Sequence, residues 1–391
     1  MVSDTVCNVG VMSTSEPFVP PPYPYERVDR FKPYGDRFAG GLIDFSIGTP
    51  CDPPPASVVD ALATSNAERG YPPSVGTPAL RGAVQRWIGR RFDVDVAPSQ
   101  IAACVGTKEF VGTLPQWLRL RTPSRDTVLY PEIAYPTYAM GATLAGCRGV
   151  PVALGPTGGL DLGSIDPAEA ERALALWVNS PGNPSGALDD LGAAAAWGRT
   201  HGVPVFSDEC YVEFTWEGRA AGDRYGRTIL EHGCDGVVAV HSLSKRSNLA
   251  GGRAGFYAGD PELVDYLAEV RKHVGMMVPG PIQAAAVAAL DDDAHVEQQR
   301  TTYRRRLERM AGIVGQWAGI DIALPAGGFY LWFPVGDSAE AAWEFTERLA
   351  REGGALVSPG DFYGAAGERF VRIAVVQPDA AIELLAGRLG L

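Results

Sequence analysis

From about residue 42 to residue 281, short apolar runs alternate with helical patterns, and this alternation limits the fold more than any other feature of the chain. The runs lie at 101–105, 127–130, 175–179, 203–207 and 237–241, with helical patterns between them at 110–120, 137–146 and 188–200. A run that is apolar at every position makes a stable strand only when both of its faces are buried. Such strands, separated by helices, predict βαβ units and a mostly parallel central sheet. After residue 281 the pattern changes. Residues 282–318 read as one long charged helix with Arg304, Arg305 and Arg306 in its middle. Apolar runs at 329–334, 355–358 and 370–375 follow, with helical patterns at 339–351 and 380–389. The predicted fold class is α/β, with a large domain over 42–281 and a smaller α+β domain over 282–391. Residues 1–41 form an N-terminal extension and arm, proline-rich and extended at 17–24.

Net charge is −12, from 34 basic and 46 acidic residues, which disfavours nucleic acid or an anionic membrane surface as a partner. No stretch approaches the roughly 18 apolar residues of a membrane span. Residues 1–16 carry neither a basic start nor a long apolar core, so no secretory signal is expected there and a cytoplasmic location is. The six cysteines (Cys7, Cys51, Cys104, Cys147, Cys210 and Cys234) contain no C-x-x-C pair, which fits free thiols in a reducing compartment and gives no metal site.

Lysine is scarce. Lys32, Lys108, Lys245 and Lys272 are the four in the chain, so 30 of the 34 basic residues are arginine. A lysine that survives in such a composition is more apt to have a role that arginine cannot fill, because lysine can deprotonate and act as a nucleophile. Lys245 lies in His241-Ser-Leu-Ser-Lys-Arg-Ser-Asn-Leu-Ala-Gly-Gly-Arg-Ala-Gly255, just beyond a predicted strand. Ligands of open α/β sheets bind at such strand ends. Ser242, Ser244 and Arg253 are a suitable set for a phosphate, although a solvated loop could have the same composition.

Three more segments follow apolar runs. Asn179-Ser-Pro-Gly-Asn-Pro-Ser-Gly186 places two asparagines in a stiff loop, where an ordinary turn would use the same residues. Val205-Phe-Ser-Asp-Glu-Cys-Tyr211 delivers Asp208 at a strand end, with Tyr211 three residues on; a helix-capping aspartate is the plainer alternative. Cys104-Val-Gly-Thr-Lys-Glu109 turns at Gly106 from strand into helix, where backbone N–H groups can hold an anion.

In this order the four segments resemble the fold type I family of pyridoxal-phosphate (PLP) enzymes, and within it the class I and II aminotransferases. The resemblance covers the chain from about Ile43 to its C-terminus. It implies that the large domain binds PLP and that Lys245 holds the cofactor covalently. It implies that Asp208 pairs with the protonated ring nitrogen, and that Tyr211 and Asn183 hold the phenolic oxygen. Gly106, Thr107, Lys108, Ser242, Ser244 and Arg253 would bind the phosphate. Tyr135, in Pro131-Glu-Ile-Ala-Tyr-Pro-Thr-Tyr138, would stack on the ring. Tyr71, in Tyr71-Pro-Pro-Ser-Val-Gly-Thr77, would reach the phosphate in the other subunit of a homodimer with shared active sites. Arg372 would clamp the substrate carboxylate, helped by Asn183 and the backbone at Gly48. Core packing would explain Tyr135 and Tyr71 as well. Amino acids and 2-oxo acids are the implied substrates.

Within that family, Pro24-Tyr-Glu-Arg27, Asp44-Phe-Ser-Ile-Gly-Thr-Pro50, Gly106-Thr-Lys-Glu109 and Val357-Ser-Pro-Gly-Asp-Phe-Tyr-Gly364 are similar to actinobacterial N-succinyldiaminopimelate aminotransferases of lysine biosynthesis. This implies glutamate as donor and a long acceptor with a distal carboxylate. Burying that charge calls for a second cation besides Arg372; Arg27, Lys32 and Arg37 in the arm are the candidates. Aspartate and broad-specificity aminotransferases share much of the pattern, and so do PLP-dependent C–S lyases. A non-catalytic PLP-binding regulator would need a DNA-binding domain, for which about forty residues before the first strand are too few.

Overall fold

The fully apolar runs are buried on both faces in the computed structural model, which describes residues 17–216 and 226–391. Cys7 and the expected leader at 1–16 lie outside the described residues. The strands are β1 (Ile43–Asp44), β2 (Ile101–Cys104), β3 (Thr127–Pro131), β4 (Arg148–Val152), β5 (Ala173–Asn179), β6 (Val205–Asp208), β7 (Val237–Ser242), β8 (Gly255–Gly259), β9 (Tyr330–Pro334), β10 (Ala355–Leu356), β11 (Ser358–Pro359) and β12 (Phe370–Ala374). Seven of them form the central sheet, in the order β2-β8-β7-β6-β5-β3-β4. Only β8 runs against its neighbours. The fold class is therefore α/β with a mostly parallel central sheet. The carboxyl ends of β2, β5, β6 and β7 all lie along one edge of that sheet.

Alternation along a strand explains why both faces are covered. In β7, Val237 and Ala239 enter one apolar cluster, while Val238 and Val240 enter another on the opposite face. In β5, Leu176 and Val178 face the first cluster and Trp177 the second. Each buried side chain of this size stabilises the fold by roughly 1.5–3 kcal/mol. The two prolines in the parallel pairings sit where their missing N–H is tolerated, Pro151 on the edge strand β4 and Pro131 at the last position of β3.

The C-terminal part carries an antiparallel sheet, β11-β12-β9. On β12, Val371 and Ile373 enter the apolar cluster of that part, and the period-two alternation turns Arg372 the other way. β1 hydrogen-bonds in parallel to β10, far along the chain, and Ile43 and Phe45 fill the same C-terminal cluster.

The expected single helix over 282–318 is two helices, Gly280–Asp291 and Ala294–Ala318. The break has a local cause. The Asp292 carboxylate accepts from the N–H groups of Ala294 (2.9 Å) and His295 (3.3 Å), a capping arrangement that starts a new helix. The arm continues beyond its proline-rich start. Residues Pro24–Arg37 wind into 3-10 turns and bury Tyr25, Val28 and Phe31 against Phe362 and Tyr363.

Candidate active site

Four strand ends converge. At the end of β6, Asp208 is buried and its Oδ2 accepts from Tyr138 Oη at 2.9 Å, its Oδ1 from the Cys210 N–H at 3.2 Å. Burial pushes the Asp208 carboxyl above its ordinary range; hydrogen bonds from Cys210 and Tyr138, and the Lys245 charge, pull it back. At the end of β5, Asn179 ties the ends together. Its Nδ2 donates to the Asp208 carbonyl (2.9 Å) and its Oδ1 accepts from the Asn183 N–H (2.8 Å).

Beyond β7, Ser242 caps a single helical turn, Leu243–Arg246, by accepting from the Ser244 N–H at 3.1 Å. The turn aims Lys245 at Gly48, whose carbonyl accepts from Nζ. Burial lowers the Lys245 amine to about 8; the neighbouring Cys210 and Asp208 raise it, and Arg372 and Arg253 lower it. Gly48 cannot carry a side chain, because a Cβ there would stand 2.1 Å from Tyr330 Oη. Tyr330 Oη in turn hydrogen-bonds Tyr211 Oη at 2.9 Å.

Beyond β2, Gly106 adopts φ +79°, a conformation that favours glycine, and a Cβ there would lie 2.2 Å from Arg253 Nη2. Gly106 opens the helix Thr107–Arg121, so the N–H groups of that helix start lie beside the Arg253 guanidinium, an arrangement that suits an anion. Arg253 is held there by the carbonyls of Ala250 (2.8 Å) and Val105 (3.4 Å). The Glu109 carboxylate steadies the turn: it accepts from the Val105 N–H and pairs with both Nη atoms of buried Arg271 (2.8 and 2.6 Å).

Arg372 is 1% exposed. Its Nη1 donates to Asn183 Oδ1 (2.8 Å) and its Nη2 to the Ser46 carbonyl, while its Nε has no partner. The rings of Tyr330, Tyr363 and Tyr25 stand 4.3, 4.8 and 5.5 Å from the guanidinium. No salt bridge joins it to a carboxylate among the described residues. A desolvated cation surrounded by neutral groups is costly until an anion reaches it.

The structure thus gathers Asp208, Lys245, Asn183, Arg372, Gly48 and Tyr211 into one site, with Gly106, Thr107, Ser242, Ser244 and Arg253 at its rim. Lys108 follows Thr107 at the same helix start. Its exposed Nζ donates to Tyr23 Oη at 3.0 Å and lies 6.0 Å from the Tyr135 ring. Tyr71 is 98% exposed on this chain. The arm cations already have partners: Arg27 pairs with Asp361 (2.9 Å), Lys32 with Asp29 (2.8 Å), and Arg37 lies over Tyr34. Tyr330, Tyr138, Tyr25 and Tyr363 were not singled out from the sequence. For Tyr138 a signal existed, since it follows Tyr135 by three residues at the start of a helix and so shares its face. For the others the sequence carries none, because their contacts join distant segments.

The site has the parts a PLP cofactor requires: a nucleophilic amine, a buried carboxylate, and an anion cradle that a single Cβ would fill. Among the described residues no group of three or more His, Cys, Asp or Glu is placed to hold a metal ion, and no helix is long and apolar enough to cross a membrane.

Fold and site together define a PLP-dependent transferase of amino groups. Residues 41–389 match the family model for aminotransferase class I and II, and the chain belongs to that family, whose members act on amino acids and 2-oxo acids with PLP. It is 43% identical to the 4-dedimethylamino-4-oxo-anhydrotetracycline transaminase OxyQ of Streptomyces rimosus, over 94% of this chain and 99% of that one. It is 33% identical to the LL-diaminopimelate aminotransferase of Aquifex aeolicus, over 94% and 96%. A solved structure from Thermus thermophilus, a probable N-succinyldiaminopimelate aminotransferase, superposes with a TM-score of 0.81 at 31% identity, over 93% and 98%.

Proposed function

We propose that this enzyme moves an amino group between glutamate and an acceptor with a second, distal carboxylate, N-succinyl-2-amino-6-oxopimelate of lysine biosynthesis being the compound that fits best. The observation that carries the reading is Arg372, a buried guanidinium without a counter-ion that lies next to the Lys245 amine. Its free N–H groups suit the α-carboxylate of an amino acid, and Asn183 and Ser46 fix their direction. Bound between Lys245, Asp208 and the Gly106 cradle, PLP supplies a carbonyl for the amine and an electron sink for the bond broken at Cα. Asp208 would pair with the protonated ring nitrogen; burial raises its carboxyl, and the hydrogen bonds from Cys210 and Tyr138 favour the ionised form. Lys245, with an amine near pKa 8, both carries the cofactor and moves the proton at Cα. Tyr211, whose hydroxyl is hydrogen-bonded to that of Tyr330, and Asn183 would hold the phenolic oxygen, and Tyr135 would stack on the ring.

Lys108 is our choice for the distal anchor. Arg27 and Lys32 are neutralised by Asp361 and Asp29, whereas Lys108 rests on a neutral tyrosine hydroxyl. Lys108→Met is expected to lower kcat/KM for the succinylated acceptor and for glutamate by about one to two decades, the loss of one charged hydrogen bond worth roughly 1.5–3 kcal/mol. Alanine, which has no second carboxylate, should be little affected. Equal losses for all three substrates would remove Lys108 from this role. A panel of half-reactions with single amino acids tests the substrate reading itself, and a better rate with aspartate or an aromatic amino acid would count against it. An acceptor with a large apolar body is the second reading. It is favoured by exposed Ile47 beside Gly48 and half-exposed Tyr23 beside Lys108, and by the likeness to OxyQ.

We also propose a homodimer in which Tyr71, almost wholly in solvent on a single chain, completes the partner's cofactor site. Mixing Tyr71→Phe and Lys245→Ala subunits is then expected to give activity above the sum of the two parents, because each mixed dimer has one intact site. Sedimentation as an active monomer, with no recovery on mixing, would exclude the arrangement.

A further inference from the structure

Arg246, the neighbour of Lys245, points the opposite way. Successive residues of one helical turn diverge by about 100°, so while Lys245 faces Gly48, Arg246 runs back into the protein and is 3% exposed. Its Nε donates to Glu213 Oε1 (2.9 Å) and its Nη1 to the Ala289 carbonyl and Ser247 Oγ (3.2 Å). Its Nη2 donates to Asp293 Oδ1 (3.0 Å) and the Asp292 carbonyl (3.4 Å). Ala289 and Asp292 belong to the C-terminal end of the helix Gly280–Asp291, where exposed carbonyls favour a cation.

Glu213 sits two residues beyond Tyr211 and five beyond Asp208, on the same extension of β6. Its carboxylate accepts from Trp87 Nε1 (2.9 Å) and Arg91 Nε (2.9 Å) as well as from Arg246. Burial would raise this carboxyl, but Arg246 and Arg91 hold it below its ordinary value. One ion pair therefore joins the two segments that carry the site's amine and its acid.

We propose that Arg246 and Glu213 are positioning residues whose ion pair locks the Lys245 turn to the chain extension bearing Asp208 and Tyr211. The inference rests on Lys245 being the cofactor lysine. The guanidinium fork matters, since it reaches Glu213, the Ala289 carbonyl and Asp293 at once and a lysine ammonium cannot. A turn released from this grip lets water reach the Lys245 amine, which raises its pKa toward the ordinary lysine value.

The test is made on the apoprotein, by pH-dependent acetylation of the peptide that contains Lys245. The groups facing that amine are Asp208 and Cys210 after β6, Arg372 on β12, and Arg253. None of the four is altered in the variants. The acetylation midpoint, about 8 in the unaltered protein, is expected to rise by about one unit in Arg246→Lys and further in Arg246→Met. In the loaded enzyme kcat should fall by about tenfold or more and KM for glutamate should hardly change. Arg246→Lys retains the charge and is expected to melt close to the unaltered protein; if Arg246→Met fails to fold, Arg246→Lys alone decides. An unmoved midpoint in folded Arg246→Lys overturns the proposal. If borohydride fixes the cofactor elsewhere than Lys245, the reading of the site fails as well; if it is fixed on Lys245 and the midpoint is unmoved, only the positioning role fails.

Discussion

Asp208→Asn is expected to slow transamination by about two orders of magnitude or more while the protein still takes up its cofactor. The two side chains have nearly the same shape: the amide oxygen can accept from the Cys210 N–H, and the amide nitrogen can donate to the Tyr138 hydroxyl oxygen. In the proposed arrangement, what is lost is a negative charge beside the ring nitrogen. An opposite charge within about 4–6 Å shifts a pKa by roughly 1–3 units, and each unit is about tenfold in an equilibrium or a rate. The loss should fall on kcat, because the sink is needed when the bond at Cα breaks, not when substrate binds. Steady-state rates with glutamate, beside cofactor content measured by absorbance, check it. Near-normal turnover would mean that another group carries the ring proton.

Lys245→Ala is expected to abolish turnover more completely. Proton transfer by a positioned base is worth roughly 10²–10⁴-fold, and this variant loses both that base and the covalent attachment. Cofactor should still bind through the cradle of Gly106, Ser242, Ser244 and Arg253, since those groups are held by contacts that do not involve Lys245. In the unaltered protein, attachment of cofactor should quicken as pH rises through about 8, where the lowered amine loses its proton. Equilibrium dialysis for binding and single-turnover rates for chemistry separate the two effects. Residual turnover within tenfold of the unaltered enzyme would contradict both roles.

The central sheet was legible because its strands are buried on both faces, so that a short run of apolar residues is itself the signal. For the same reason the strand ends, and with them Asp208 and the Lys245 turn, could be located to within a residue or two. Local periodicity is blind to what distant segments do together. It could not show β1 pairing with β10, a two-residue ladder between residues about three hundred apart. Nor could it show that Tyr330 closes over Gly48 and orients Tyr211. The break at Asp292 was hidden by its neighbours, since three aspartates in a row in a charged helical pattern do not reveal which one caps. Arg246 was hidden by composition, because in a chain whose basic residues are nearly all arginine one more draws no notice.

The arm shows the same limit. Arg27 looked available for a distal carboxylate because its partner, Asp361, lies at the far end of the sequence, whereas Lys32 and Arg37 meet Asp29 and Tyr34 three residues away. The structure turns Arg27 into a fastener between the arm and residues 360–363, with Trp343 4.9 Å from the guanidinium. Tyr25 and Tyr23 are thereby held against Tyr363 and Lys108.

The covalent bond between Lys245 and the cofactor is the centre of the whole reading, and one measurement addresses it directly. The purified enzyme is reduced with borohydride, digested, and its peptides are weighed. The cofactor's mass is expected on the peptide containing Lys245, with Lys32, Lys108 and Lys272 unlabelled. Label on Lys108, the other lysine near the cradle, would contradict it.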